Sequence, residues 1–258
     1  MTWEVLVIRY ATDPSRTAAR NFLGGAGADR SMPVAYHAFV LRGAAGVVVV
    51  DTGADAGRCE RMGKRFGRGV PEALAALGAA PADVAHVVQT HLHWDHAGGT
   101  ALFPNAVFHL QAQEMAYCTG PAMRHAVLRA GYEAADIAEV AALGREGRLR
   151  LHDGDAEPLP GLRLHRVGGH TDGLQVLGVP TRRGRMCLAG DAAAFRENLA
   201  QRLPFPVLFH VGDALDAFET VLGLADDPAL VIPGHDPWVV DAHPPAGPGT
   251  EGWIARLA

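Results

Sequence analysis

Residues 84–100 read VAHVVQTHLHWDHAGGT. An apolar, valine-rich run of the kind that packs into a sheet stops, and His91, His93, Asp95 and His96 follow before a pair of glycines. The tip of a strand can aim several side chains into one small volume. In extended chain His91 and His93 share a face, and Asp95 and His96 follow as the chain turns. Neutral imidazole and ionised carboxylate are both ligands for zinc and similar cations. Four such groups at this spacing can serve two metals, His91 and His93 on one, Asp95 and His96 on the other. The bland alternative is a polar loop of solvated histidines.

Three more strand ends argue against that alternative. VGGHTDG (167–173) places His170 between a strand and a glycine-rich turn, LAGDAA (188–193) places Asp191 at a strand end, and VIPGHDP (231–237) places His235 at another. Taken singly, each is more often a turn residue than a ligand. Taken together, four strand tips presenting ligands are what a metal site needs. The count also closes. His91, His93 and His170 make one set of three, Asp95, His96 and His235 make another, and Asp191 can bridge them. A position is left for a shared water or hydroxide, as catalytic zinc sites require. Asp51, at the end of VVVVDTG, reads either as an outer support for His91 or its turn, or as an Asx-turn residue.

The rest of the chain alternates strand and helix. WEVLVIRY (3–10), VAYHAFVLR (34–42), GVVVVD (46–51), AVFHLQ (106–111), RLRLH (148–152), LRLHRV (162–167), LQVLGVP (174–180), GRMCLAG (184–190) and ALVIPGHD (229–236) read as strands. PEALAALG (71–78) and DALDAFETVLGLA (213–225) read as helices, and residues 112–145 as two or three more. NFLGGAGADRSMP (21–33) reads as a long loop. Without a repeat, a linker or a composition break, the 258 residues are expected to form a single domain, with 237–258 a loose C-terminal tail.

Composition narrows the partners. The net charge of -5, with no basic run, disfavours nucleic acid. No apolar stretch approaches a membrane span, and the N-terminus has neither the basic region nor the apolar run of a signal peptide. Cys59, Cys118 and Cys187 are odd in number and scattered, which fits free thiols in a reducing compartment, so a cytoplasmic location is expected. Trp3, Phe22, Leu23, Met32, Phe195, Phe205 and Phe209 lie where they could line an apolar cleft.

HLHWDH, GGH, GD and GH, in this order over residues 36–237, resemble the metallo-β-lactamase superfamily. THLHWDHAGGTALFPNA (90–106), the GD-A-x(4)-EN segment from Gly190 to Asn198, and PGHDP (233–237) resemble its quorum-quenching N-acyl-homoserine lactonases most. The resemblance implies an α+β fold, a four-layer αβ/βα sandwich with a dimetal site at the edge of two packed sheets. It implies two divalent metal ions per chain, zinc before iron, cobalt or manganese. It also implies hydrolysis of a cyclic ester by a hydroxide shared between the cations, with Asp95 and Asp191 as the catalytic carboxylates. The partner is then a small lactone or ester, and a homodimer is compatible with it. One departure stands out. Those lactonases commonly carry a tyrosine three positions after the bridging aspartate, where this chain has Ala194 followed by Phe195, neither able to donate a hydrogen bond. Tyr36, His37 and His210 are the candidate replacements. The departure keeps open another metallohydrolase on the same scaffold, a thioesterase of glyoxalase II type or an aryl or alkyl esterase, and a metal-keeping binding protein.

Overall fold

The computed structural model describes residues 1–25 and 29–258. Of the expected loop 21–33, residues 26–28 therefore lie outside the described part. Among the described residues the strands are β1 (Glu4–Asp13), β2 (Val34–Gly43), β3 (Gly46–Val50), β4 (Arg65–Phe66), β5 (Val84–Val88), β6 (Val107–Gln111), β7 (Leu149–His152), β8 (Ala156–Leu159), β9 (Leu162–Arg166), β10 (Gln175–Thr181), β11 (Gly184–Gly190), β12 (Val231–Pro233) and β13 (Ile254–Arg256). The helices are α1 (Ala56–Arg61), α2 (Val70–Ala76), α3 (Trp94–Ala97), α4 (Ala112–Thr119), α5 (Ala126–Arg129), α6 (Ala134–Arg145), α7 (Arg196–Gln201), α8 (Val211–Leu224) and α9 (Trp238–Asp241). The strands form two sheets, ordered β13-β1-β2-β3-β5-β6-β7, with β4 also beside β1, and β12-β11-β10-β9-β8.

The run of four valines in β3 makes sense once both faces of its sheet are covered. Val48 and Val50 point between the sheets, where Val5, Val7, Phe39 and Leu41 of the first sheet meet Leu164, Leu177, Val179, Met186 and Leu188 of the second. The alternate residues Val49, Leu6, Ile8 and Val40 point outward, against Cys59 of α1, Val70 and Leu74 of α2 and Leu143 of α6. The second sheet is covered in the same way, with Val176, Cys187 and Ala189 against Ala217, Phe218 and Val221 of α8. Period-two alternation on strands buried on both faces thus yields helix, sheet, sheet and helix layers, which is the expected four-layer sandwich.

The expectation of a loose tail is corrected. β13 pairs antiparallel with β1 through Leu6↔Arg256, Val7↔Ala255 and Ile8↔Ile254, and Ile254, Ala255 and Leu257 are buried. The pairing covers backbone groups that β1 would otherwise expose along an apolar edge. The short strands β4, β8 and β13 escape a reading by periodicity because two to four residues carry no alternation to detect. No helix among the described residues is long and apolar enough to cross a membrane. Cys59, Cys118 and Cys187 are all buried and free.

Strand direction places the site. β3, β5, β6 and β7 run parallel, as do β11 and β12. β9 and β11 both run antiparallel to β10, so they share a direction. The segments following β3, β5, β9, β11 and β12 therefore emerge at C-terminal strand ends, the usual rim for a site in such sheets.

Candidate metal centre

Thr90, His91 and His93 lie on extended chain after β5, and the turn that follows is the short helix α3, which carries Asp95 and His96. His170 follows β9, Asp191 follows β11 and His235 follows β12. All seven expected ligands are buried, and the structure brings all seven together. His93 Nδ1 stands 3.0 Å from His91 Nε2 and 2.9 Å from His170 Nε2. Asp191 lies between two groups: its Oδ2 is 3.1 Å from His170 Nε2, while its Oδ1 is 3.0 Å from His235 Nε2 and 3.4 Å from His96 Nε2. Asp95 Oδ2 is 3.6 Å from His96 Nε2 and 3.8 Å from His235 Nε2. Three sets of potential ligand atoms converge: His91, His93, His170; His91, His96, Asp191; and Asp95, His96, His235.

Hydrogen bonds on the outer side of the rings set the tautomers. His170 Nδ1 faces the Val207 carbonyl at 2.7 Å, and His235 Nδ1 faces the Ala35 carbonyl at 2.8 Å. His96 Nδ1 faces Asp51 Oδ2 at 2.7 Å. Each acceptor requires a proton on Nδ1, which leaves the Nε2 lone pair aimed into the cluster. The Thr90 hydroxyl donates to Asp51 Oδ2 at 2.8 Å and so accepts from His91 Nδ1 at 3.1 Å. His96 Nε2 and Asp191 Oδ1 are buried without a hydrogen-bond partner. Inward lone pairs, two carboxylates and orphaned acceptors in one dry volume are what divalent cations satisfy, so the donor set fits them.

Electrostatics agree. Burial, reinforced mainly by neighbouring imidazoles, holds His91 and His93 well below the ordinary histidine pKa and depresses His170 too. These rings are neutral and ready to ligate. Burial alone would raise the Asp191 pKa, but His235, His170 and His96 outweigh it and keep the carboxyl ionised. Burial also opposes charge on His96 and His235. There the nearby carboxylates prevail and raise both pKa values, a stabilisation that bound cations would replace.

Asp51 is an outer support of the segment that carries His91, as expected, and in addition of His96. It grips His96 directly and reaches His91 only through Thr90; it also accepts from the Thr90 N–H at 2.7 Å. Its φ of 59° is unusual for a residue other than glycine, and the three hydrogen bonds hold it there. Sequence reasoning missed Glu114. Fully buried at the start of α4, it accepts at Oε1 from Leu92 N–H (3.1 Å) and the Tyr132 hydroxyl (2.7 Å), and at Oε2 from the Thr171 hydroxyl (2.6 Å) and Gly173 N–H (3.2 Å). One carboxylate thus ties the His91–His93 segment to the His170 loop. Gly173 is required there, because a Cβ would lie 2.0 Å from the Glu114 backbone nitrogen.

A cavity of about 450 Å³ opens above the cluster and is lined by His93, Asp95, His170, Asp191 and His235. Of the candidate replacements for the missing tyrosine, only Tyr36 lines it. His37 is buried with Nδ1 on the Gly234 carbonyl, and His210 caps α8 at the surface. Ala194 and Phe195 both pack into the helix-side core. Of the residues expected to line a cleft, Phe205 does so. Trp3, Phe22 and Met32 are core, Leu23 is half-buried, and Phe209 packs against Tyr117 outside the cavity.

The same fold is found among known proteins. A crystal structure of a quorum-quenching N-acyl homoserine lactone lactonase superposes with a TM-score of 0.73 at 24% identity, covering 92% of this chain and 93% of that one. AidC, a dizinc quorum-quenching lactonase in complex with a product, gives 0.68 at 18%, covering 92% and 88%. An N-acyl homoserine lactonase of Bacillus sp is 32% identical over 136 residues, 51% of this chain and 48% of that protein. The chain thus spans about half the length of the curated relatives it matches. The metallo-beta-lactamase superfamily model matches residues 32–235, the stretch that contains every strand tip of the cluster. By that match and by its fold, the chain belongs to the metallo-beta-lactamase superfamily.

Proposed function

We propose that the chain is a metal-dependent hydrolase that opens the ester ring of lactones, N-acyl-homoserine lactones foremost. The observation that carries this reading is the convergence of five imidazoles and two carboxylates at the floor of a cavity large enough for a small molecule. The lactonases among its relatives support the choice of substrate. His91, His93 and His170 would hold one divalent cation, Asp95, His96 and His235 a second, and Asp191 both, with zinc the preferred metal and iron, cobalt or manganese the alternatives. Such cations supply Lewis-acid polarisation and bring the pKa of water near neutrality. Asp95 lines the cavity and would take the proton of the attacking water, then return it to the departing ring oxygen. Tyr36 points its ring at the same floor, with its centroid 5.3 Å from that of His235, and donates its hydroxyl to the carbonyl oxygen.

A second reading, a thioesterase of glyoxalase II type or an aryl or alkyl esterase, is favoured by one observation. No hydroxyl follows Asp191, since Ala194 and Phe195 are core residues. Elemental analysis of protein purified without chelator, combined with a substrate panel, decides. The lactonase reading expects about two metal equivalents and faster opening of an acyl-homoserine lactone than of a linear ester of equal chain length. Equal or reversed kcat/KM moves the assignment to the second reading. A stoichiometry held at one metal after reconstitution rejects the dinuclear site.

A further inference from the structure

One wall of the cavity carries a charge that the hydrolytic machinery leaves unused. Arg16 lines the cavity and is half-buried. Its guanidinium carbon stands 5.4 Å from the centre of the Phe205 ring. Phe205 in turn stacks on His235, ring centres 6.4 Å apart. Arg16 is therefore one aromatic ring outward from a residue of the metal cluster. Its Nε donates to Asn21 Oδ1 at 2.9 Å and its Nη2 to the Arg20 carbonyl at 2.6 Å, both neutral acceptors. Nη1 has no partner among the described residues. The nearby acid, Asp13, is engaged by Lys64 at 2.6 Å and by the Ser15 hydroxyl at 2.6 Å.

A half-buried cation without a counter-ion is costly. Burial, with Arg20 adding to it, pushes the Arg16 pKa down, and Tyr36 and Asp13 only partly oppose this. Bracing the 16–21 turn accounts for two of the guanidinium nitrogens and leaves the third, and the charge, unexplained. The charge balance of the cavity points the same way. Lys64, the other cation on the wall, is neutralised by Asp13, while Asp95 and Asp191 belong to the cluster. With two divalent cations bound, the cavity is positive inside a chain whose net charge is -5, and it would concentrate anions.

Building on the hydrolase reading above, we propose that Arg16 forms a subsite for a carboxylate on the substrate. The favoured ester or lactone then carries that carboxylate on the part extending from the reacting carbonyl along Phe205, and within the hydrolase reading it takes first place from the uncharged N-acyl-homoserine lactones. The planar guanidinium fork suits a carboxylate better than a neutral amide.

Binding rather than turnover tests this. The probes are the monoanilides of four-, six- and eight-carbon diacids, each matched with the neutral anilide of the same length, titrated by calorimetry into zinc-reconstituted protein. At one chain length the acid should bind at least about tenfold tighter than its neutral match, with the gain shrinking as salt is added. Arg16→Met should erase the gain and leave the neutral anilide unchanged. Arg16→Gln, which keeps a donor for Asn21 but no charge, should do the same and serves if Arg16→Met fails to fold. Three results overturn the subsite. One is no preference in the native chain. Another is a preference that survives loss of Arg16, as when the carboxylate sits on the metals. The third is a parallel loss of both anilides, which would make Arg16 a brace only. Failure of the hydrolase reading would show separately, as absent turnover with anilide binding intact.

Discussion

On the proposed lactonase reading, Tyr36 would take over a donor role that Ala194 cannot perform. Its ring is wedged between Trp94 and His235, with centroids 5.5 and 5.3 Å away, and its hydroxyl makes no hydrogen bond among the described residues. Burial first and Asp95 second push its pKa up, which favours the protonated phenol that a donor needs. Tyr36→Phe is therefore expected to lower lactone kcat by ~10²-fold with metal content unchanged, read by steady-state kinetics beside elemental analysis. An unchanged kcat would remove Tyr36 from the reaction. Restoring the tyrosine at Ala194 should not help, because that side chain is sealed in the core beside Phe195 and overpacking there costs about 1–3 kcal/mol. Glu114 is a different case. Glu114→Ala would strand four buried donors, on Leu92, Tyr132, Thr171 and Gly173, at a cost of about 1–3 kcal/mol for each one left unsatisfied. Glu114→Gln, which keeps the shape and one acceptor, should lose less. Urea titration of both variants measures the difference, and equal losses would mean that the one acceptor kept by glutamine contributes nothing to stability. The two residues also mark what local sequence can disclose. HLHWDH is legible because four ligands fall within one turn of chain. Glu114 sits in QAQEMAYC like any first-turn helix acid, and only the packing of α4 under two loops makes it a tie.

Among the elements, the strands that cross the core were legible because valine-rich alternation survives without any partner being known. β13 was not, since GTEGWIARLA gains its strand character from lying beside β1 rather than from its own pattern. Deleting residues 243–258 should therefore do more than trim a tail. It would expose the β1 edge and remove Ile254 and Leu257 from the core, each worth about 1.5–3 kcal/mol when fully buried. The truncated chain is expected to melt earlier and to aggregate, and a melting temperature equal to that of the full chain would return these residues to the status of a loose tail. A second element-level feature is a ladder of imidazoles across β5, β6 and β7. His86 Nδ1 lies 3.0 Å from His109 Nε2, and His109 Nδ1 lies 3.0 Å from His152 Nε2. Burial, with His86, His152 and Arg150 adding to it, pushes His109 down from 6.5 to about 4. The unfolded chain then binds the proton more readily than the folded one. Stability from this residue is complete above pH 6.5 and is lost as pH falls toward 4, by on the order of 3 kcal/mol. Urea midpoints at pH 7.5 and pH 5 should differ less in His109→Gln than in the native chain. The same difference in both would clear the ladder of any part in acid sensitivity.

At the scale of the molecule, the four layers follow from the family resemblance more than from any run of residues. Which strand neighbours which, with β3 beside β5 and β12 beside β11, depends on crossovers that no local pattern records. The cluster inherits this dependence. Its seven residues come from four segments on two sheets, so cations bound there would fasten the sheets together along one rim. The unfolded chain has no such assembled site, and metal binding becomes folding free energy. The number of metals can then be read from stability alone. With sites saturated, each adds about 1.4 kcal/mol of stability per tenfold rise in free metal. Urea midpoints measured across a series of buffered free zinc concentrations should thus rise with a slope near 2.8 kcal/mol per decade for two sites, about twice the single-site value. Asp191→Ala, which removes the group lying between His170 and the His96–His235 pair, should reduce that slope to the single-site value or below. A native slope of about 1.4 kcal/mol per decade, with Asp191→Ala unchanged, would mean that only one cation is held by the folded chain and that Asp191 does not join two.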